Sequence, residues 1–268
     1  MSRILTFNGK TSSSFGLRIG CPSVYNASGR DVSTYYVPGR IGAVYPALDY
    51  SQIPNEVKEY NAALYMRADS MEQVERKMED IRDWLMNVDG YAELTDSYEP
   101  QFYRRAFFTG GFAPVRKGAG QNFEIPLRFS CDPRRFLTGT YNFEVHGARV
   151  PVTYTTPATV NGFSIREGSK PLIYISKDAV VATITFTDVT VHSGTPANVE
   201  LGKIYLSGDE ADFYFDAESL TAYDESGDPC NQYITDVTGE IRLGPGQTEI
   251  SINTSEVALT VTPRWWVR

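Results

Sequence analysis

Only one stretch of this 268-residue chain repeats its apolar residues at helical spacing, and that scarcity constrains the fold more than any other feature. Met71, Val74, Met78, Ile81, Leu85 and Val88 recur every three or four positions and lay one apolar stripe along about five turns. Ser70 precedes the stripe, where its hydroxyl can accept from the free amides, and Gln73 is placed to reach back as its capping-box partner. Gly90 stops the run. A helix is therefore expected near residues 70–89. At about two and a half heptads the stripe is short for a two-partner coiled coil, so it is expected to pack on a sheet of its own domain.

Elsewhere the chain is textured for strands. Its 17 Tyr and 14 Phe favour pleated surfaces. Residues 4–10 read as a strand entering an Asn8-Gly9 hairpin turn, and a second strand is expected over 15–19. Residues 33–37 precede the turn pair Pro38-Gly39 and suggest another hairpin. Tyr60 to Met66 is a further candidate strand. From Phe123 to Cys131 the strict alternation puts Phe123, Ile125, Leu127, Phe129 and Cys131 on one face, while Pro126 argues for an edge or a bulge. After residue 139 the texture changes to short Thr-, Val- and Gly-rich runs without a helix signal. Strands are expected at 172–175, 182–187, 199–206, 211–215, 220–223, 239–243, 248–252 and 258–263, a spacing that suits a β-sandwich. The chain length fits two domains, residues 1–139 and 140–268.

Composition narrows the function. A net charge of -8 and a pI near 4.9 argue against specific nucleic-acid binding, which needs concentrated Lys and Arg. No apolar run reaches the roughly 18 residues of a membrane span, so no membrane insertion is expected. The opening MSRILTFNGK is too polar for a secretory signal, which points to synthesis and assembly in the cytoplasm. Cys21, Cys131 and Cys230 have no C-x-x-C spacing and read as small buried thiols.

No motif survives as a catalytic set. Gly9-Lys10-Thr11 lacks the first glycine of a phosphate loop, where Ile4 stands, and Gly118-Ala119-Gly120 meets Phe123 at the third glycine position. His146 and His192 are the only histidines, and Ser193 beside His192 would point to the opposite face of a strand. The acids Asp209, Glu210, Asp212, Asp216, Glu218, Asp224, Glu225 and Asp228 read as solvated loops, with a calcium site or a glycosidase pair as competing readings. We assign no catalytic, cofactor-binding or metal residues and expect no cofactor. Trp265 and Trp266 would present rings to opposite sides of a strand. Either one face meets another domain or subunit, as tryptophan and arginine do at interfaces, or both cover the chain's own core.

Several pieces stand in an order that resembles the distal tail proteins (Dit) of long-tailed, non-contractile bacteriophages and prophages. They are Phe7-Asn8-Gly9-Lys10 with Phe15-Gly16-Leu17, Val37-Pro38-Gly39-Arg40, Trp84-Leu85 with Gly90-Tyr91, and Leu94-Thr95-Asp96 with Tyr103. Phe129-Ser130-Cys131-Asp132-Pro133, Leu243-Gly244-Pro245-Gly246 and Pro263-Arg264-Trp265-Trp266 complete the set. The resemblance implies a mainly β subunit: an N-terminal ring-forming domain, barrel- or sandwich-like with one packed helix, and a C-terminal galectin-like β-sandwich. It implies a structural virion protein and not an enzyme, a hexameric hub at the distal end of the tail. The implied partners are further copies of the chain, the tail tube protein, the C-terminus of the tape-measure protein, and the tail-associated fibre or lysin protein of the tail tip or baseplate. Arg40, Trp265 and Trp266 are the candidate interface residues. The alternative reading is a carbohydrate-binding module for host adhesion, with Tyr205, Tyr214 and Tyr223 as its aromatic candidates. A cell-wall hydrolase would need an acid and a base paired in one cleft.

Overall fold

The computed structural model describes residues 3–22, 35–36, 43–44, 58–88, 90–118, 121–139, 141–147, 151–165 and 168–267. The chain divides into two compact units between Arg135 and Phe136. That division precedes the change of texture after residue 139 because it falls inside a short strand, Arg135–Leu137, and the loop-rich sequence begins only beyond it.

The first unit contains β1 (Leu5–Phe7), β2 (Lys10–Thr11), β3 (Arg18–Ile19), β4 (Tyr35–Tyr36), β5 (Ala43–Val44), β6 (Lys58–Arg67) and α1 (Met71–Met86). After the helix come β7 (Ala92–Asp96), β8 (Phe102–Phe108), β9 (Val115–Lys117) and β10 (Asn122–Cys131), and β11 (Arg135–Leu137) carries the division. Its main sheet runs β2-β1-β7-β8-β10-β6-β3. The Ile19 amide donates to the Arg3 carbonyl at 3.1 Å and so ties the last strand back to the residues leading into the β1 end. Asn8 and Gly9 adopt φ of 47° and 72°, the positive values a two-residue hairpin turn demands. The expected strand over 15–19 is shortened to the two-residue β3, because Phe15 ends a 3-10 turn, Ser12–Phe15, and Gly16 follows it at a φ of 70°. β4 and β5 pair antiparallel as the Pro38-Gly39 signal suggested, although Pro38, Gly39 and Arg40 themselves lie outside the described residues.

Pro126 does not sit on an edge strand, because β10 pairs with β6 along its whole length. On its other side β9 covers only residues 122–124 and β8 only 129–131. The proline falls between the two, where no ladder bond is asked of it, and this local gap does what a free edge would.

The helix begins as the sequence predicts. Ser70 Oγ accepts from the Gln73 amide at 3.3 Å, but Gln73 Oε1 reaches one residue further back, to the Asp69 amide at 2.9 Å. Val74, Ile81, Trp84 and Leu85 are buried, and Met78 and Val88 pack against the same core. Met71, in the first turn, departs from the stripe at 62% exposed, and Trp84 takes a place the periodicity did not give it. The Trp84 indole donates to the Phe7 carbonyl at 2.9 Å, which locks the end of α1 onto β1.

The second unit is a two-sheet sandwich, labelled β12 (Phe143–His146), β13 (Val152–Thr155), β14 (Thr159–Val160), β15 (Phe163–Ser164), β16 (Leu172–Lys177), β17 (Ala182–Asp188), β18 (Val191–His192) and β19 (Thr195–Pro196). It continues with β20 (Val199–Leu206), β21 (Ala211–Asp216), β22 (Thr221–Tyr223), β23 (Ile234–Gly239), β24 (Gln247–Ile252), β25 (Val257–Thr262) and β26 (Trp266–Val267). One sheet has the order β12-β25-β16-β21-β22 and the other β13-β24-β17-β20-β23. Ile173, Ile175 and Phe213 from the first and Ile184, Phe186 and Ile204 from the second are all fully buried, each contributing about 1.5–3 kcal/mol by leaving water. The strand expected over 239–243 is displaced to Ile234–Gly239, where Gly239 at φ 70° ends the pairing with β20.

Candidate functional site

The three candidate interface residues have different fates. Arg40 lies outside the described residues. Trp265 is 1% exposed and forms the end of a stack of parallel rings, with Tyr154 at 6.3 Å and Tyr154 against Phe143 at 4.2 Å. Tyr154 and Phe143 come from the edge strands of the two sheets, so the stack closes one side of the sandwich. Trp266 is half-buried in β26. The adjacent tryptophans thus take the alternating environments of a strand, with Trp265 committed to the interior.

The acids prove to be unlike one another. Asp209 and Glu210 are exposed in the turn between β20 and β21, and Asp212 is exposed on β21. Asp216 accepts two hydrogen bonds from the Arg264 guanidinium, at 2.6 and 2.9 Å, and a third from the Glu218 amide at 2.7 Å. It joins β21 to the end of β25 as a structural clamp. Asp224 accepts from the Ser226 and Asp228 amides and so organises its own turn. No three His, Cys, Asp or Glu side chains stand close enough to hold a metal ion among the described residues.

The tyrosines proposed for sugar stacking are split between sheets. Tyr205 lies on β20, whereas Tyr214 and Tyr223 lie opposite each other on β21 and β22. Tyr174 extends that row, with ring centroids 5.1 Å from Tyr214 and 5.8 Å from Tyr214 to Tyr223. Tyr174 is tilted 53° to Tyr214 while Tyr223 lies 21° from it, so the row does not present one flat platform to a pyranose. His146 meets Glu144 at 3.0 Å on the surface, and His192 with Ser193 and Gly194 forms a hairpin turn, with φ of 51° and 84° at the last two.

The chemically densest cluster gathers around Asp96, at the end of β7. Tyr60 donates to Asp96 Oδ2 at 2.9 Å, while Asp96 Oδ1 accepts from the Tyr98 and Glu99 amides. Arg104, 2% exposed, pairs with Glu99 and stands 3.9 Å from Asp96. Arg135 donates to Glu99 at 2.9 Å and lies over the Phe102 ring. Burial, then the neighbouring Asp96 carboxylate, pushes the Tyr60 hydroxyl far up. Each carboxylate is already held by arginine or backbone amides, so the cluster fixes the β7–β8 turn and leaves no acid or base poised toward solvent. Asp96 and Tyr103 were singled out by order in the chain, but Arg104 and Tyr60 were not. A buried arginine carries no sequence signal of its burial.

No family model matches the chain. No curated protein matches it either. Solved phage proteins do share its fold. The crystal structure of Dit (gp 19.1) from phage SPP1, described as a paradigm of the hub adsorption apparatus of phages infecting Gram-positive bacteria, aligns with a TM-score of 0.60. That alignment has 13% identity and covers 97% of this chain and 98% of SPP1 Dit. A chain of the phage P2 baseplate, in its activated conformation with Ca, gives a TM-score of 0.52 at 13% identity and covers 98% of each chain. From end to end, this chain has the mainly β fold of a phage Dit hub protein.

Proposed function

We propose that the chain is a structural, non-enzymatic subunit of a phage virion, which closes with copies of itself into a hexameric hub at the distal end of the tail. In this reading the first unit forms the ring and the second, a galectin-like sandwich, faces outward. The tail tube protein and the C-terminus of the tape-measure protein meet the hub on one side. The fibre or lysin protein of the tail tip meets it on the other, and assembly takes place in the bacterial cytoplasm. The end-to-end match to SPP1 Dit carries the reading, since a sandwich alone recurs in many unrelated functions.

The distribution of charge supports it. Residues 1–135 hold 17 Lys and Arg against 16 Asp and Glu, whereas residues 136–268 hold 8 against 17. Ring-forming units near neutrality can approach without accumulating like charge, while the acidic units repel one another and stay apart. Cyclic closure also leaves no heterologous surface unsatisfied. Light scattering on the purified chain should give a mass of about 180 kDa, six copies of 29.9 kDa. A strictly monomeric mass at high protein concentration would overturn the hexamer.

A further inference from the structure

We infer that an open cleft in the first unit is a docking site for a carboxylate-bearing peptide segment of a partner protein. The cleft, about 650 Å³, is lined by Arg3, Ile4, Ser13, Leu17, Arg18 and Tyr65, together with Gly16 and Ile19. Arg3 and Arg18 are exposed, and neither forms an ion pair among the described residues. A third cation stands at the wall, where a side-chain carbon added at Gly16 would lie 3.6 Å from Lys77 Nζ. Lys77 likewise has no carboxylate partner among the described residues. Two arginines without an ion pair therefore line one concavity, with Lys77 beside the Gly16 wall and no acid among the described lining residues, in a protein of net charge -8.

The wall is built and not incidental. Tyr65 is 44% exposed, yet its ring lies against Gly20 so closely that a side-chain carbon there would meet Tyr65 Cε2 at 2.8 Å. Gly20 is itself held by donating to the Ala63 carbonyl at 2.8 Å. The missing side chain thus lets an exposed aromatic stand flat at the cleft, beside Ile4, Leu17 and the guanidiniums. Arginine forks bind carboxylate in two-point geometry, and the tyrosine and aliphatic lining suits the apolar side chains of a polypeptide. Carboxylate is favoured over nucleic-acid phosphate because the chain's overall charge repels a long polyanion, whereas a short acidic segment is attracted locally within a Debye length of about 8 Å.

Fluorescence anisotropy on the full chain tests the site with a short fluorescein-labelled peptide of alternating Glu and Leu, its Gln-for-Glu analogue, and a labelled single-stranded oligonucleotide. The Glu peptide should bind saturably and weaken with added salt, and the Gln peptide should not bind. Arg3→Gln combined with Arg18→Gln should weaken binding at least about tenfold while leaving the melting temperature unchanged, since both side chains are exposed. Gly20→Val, which displaces the Tyr65 ring, should weaken it independently. Equal binding of both peptides, no loss in the double variant, or tighter binding of the oligonucleotide would overturn the inference. Binding is read on whatever assembly the chain forms, so a failed hexamer leaves this result intact.

Discussion

At the scale of single residues, neighbours in sequence separate by what they touch. Asp209, Glu210 and Asp212 face solvent, and replacing Glu210 and Asp212 by Ala should change stability by less than about 0.5 kcal/mol. Asp216→Ala removes the two-point partner of Arg264, whose side chain is largely buried, and should cost roughly 2–3 kcal/mol in a denaturant titration. Equal effects for the two variants would refute the clamp. The cysteines divide in the same way. Cys21 is exposed, against the expectation of three buried thiols, while burial pushes the Cys131 thiol up to about 12 and also raises that of Cys230. Ellman's reagent near neutral pH should therefore label Cys21 in the folded protein, and Cys131 and Cys230 only after unfolding, because the thiolate is the reacting species. Rapid labelling of native Cys21→Ser would contradict this.

At the scale of elements, the helix shows how far periodicity carries. Ile81→Ala or Leu85→Ala should destabilise the first unit by about 2–5 kcal/mol, since each empties a fully enclosed position. Met71→Ala should cost under about 0.5 kcal/mol despite belonging to the same stripe, and Glu72→Ala loses only an exposed pair with Arg76. Thermal melts that rank Met71 with Leu85 would show that α1 is seated differently. A second device sits in the sandwich. Lys177, 3% exposed, directs its ammonium to the carbonyls of Asp178, Val180, Ser207 and Asp209. These belong to the two turns that cross between the sheets, from β16 to β17 and from β20 to β21. Lys177→Met keeps the stem and strands the carbonyls, so chemical denaturation should report a loss of roughly 2–4 kcal/mol. A loss within experimental error would mean that the turns hold themselves.

At the scale of the whole molecule, the sheet orders bring remote segments together and set what can be exposed. β10 and β6 lie 55 residues or more apart in sequence, Cys131 facing Lys58 at one end and Asn122 facing Arg67 at the other, and they form the longest ladder among the described residues. In the proposed hub, raising ionic strength from low to physiological should favour the assembled mass in light scattering, because it screens repulsion between the acidic second units. If added salt instead dissociated the assembly, attraction between opposite charges would be what closes it.

The sequence by itself determined the local structure: the Ser70 cap and the stripe behind it, the Asn8-Gly9 turn, and strands such as Asn122–Cys131, whose alternation from Phe123 requires one buried face. These follow from side-chain periodicity and backbone sterics, which act over a few residues. The weaker strands, Ala92–Asp96 and Phe102–Phe108, were hidden because their Glu, Thr and Arg content resembles a turn until Asp96, Glu99, Arg104 and Tyr60 are seen to satisfy one another. Only the tertiary structure decided that Trp265 is interior, that Asp216 is a clamp, and that Arg3 and Arg18 line one cleft with Lys77 beside its Gly16 wall. Burial and charge pairing depend on which segments the sheets place side by side, and that long-range choice is made by the packing of the whole core rather than by any run of residues.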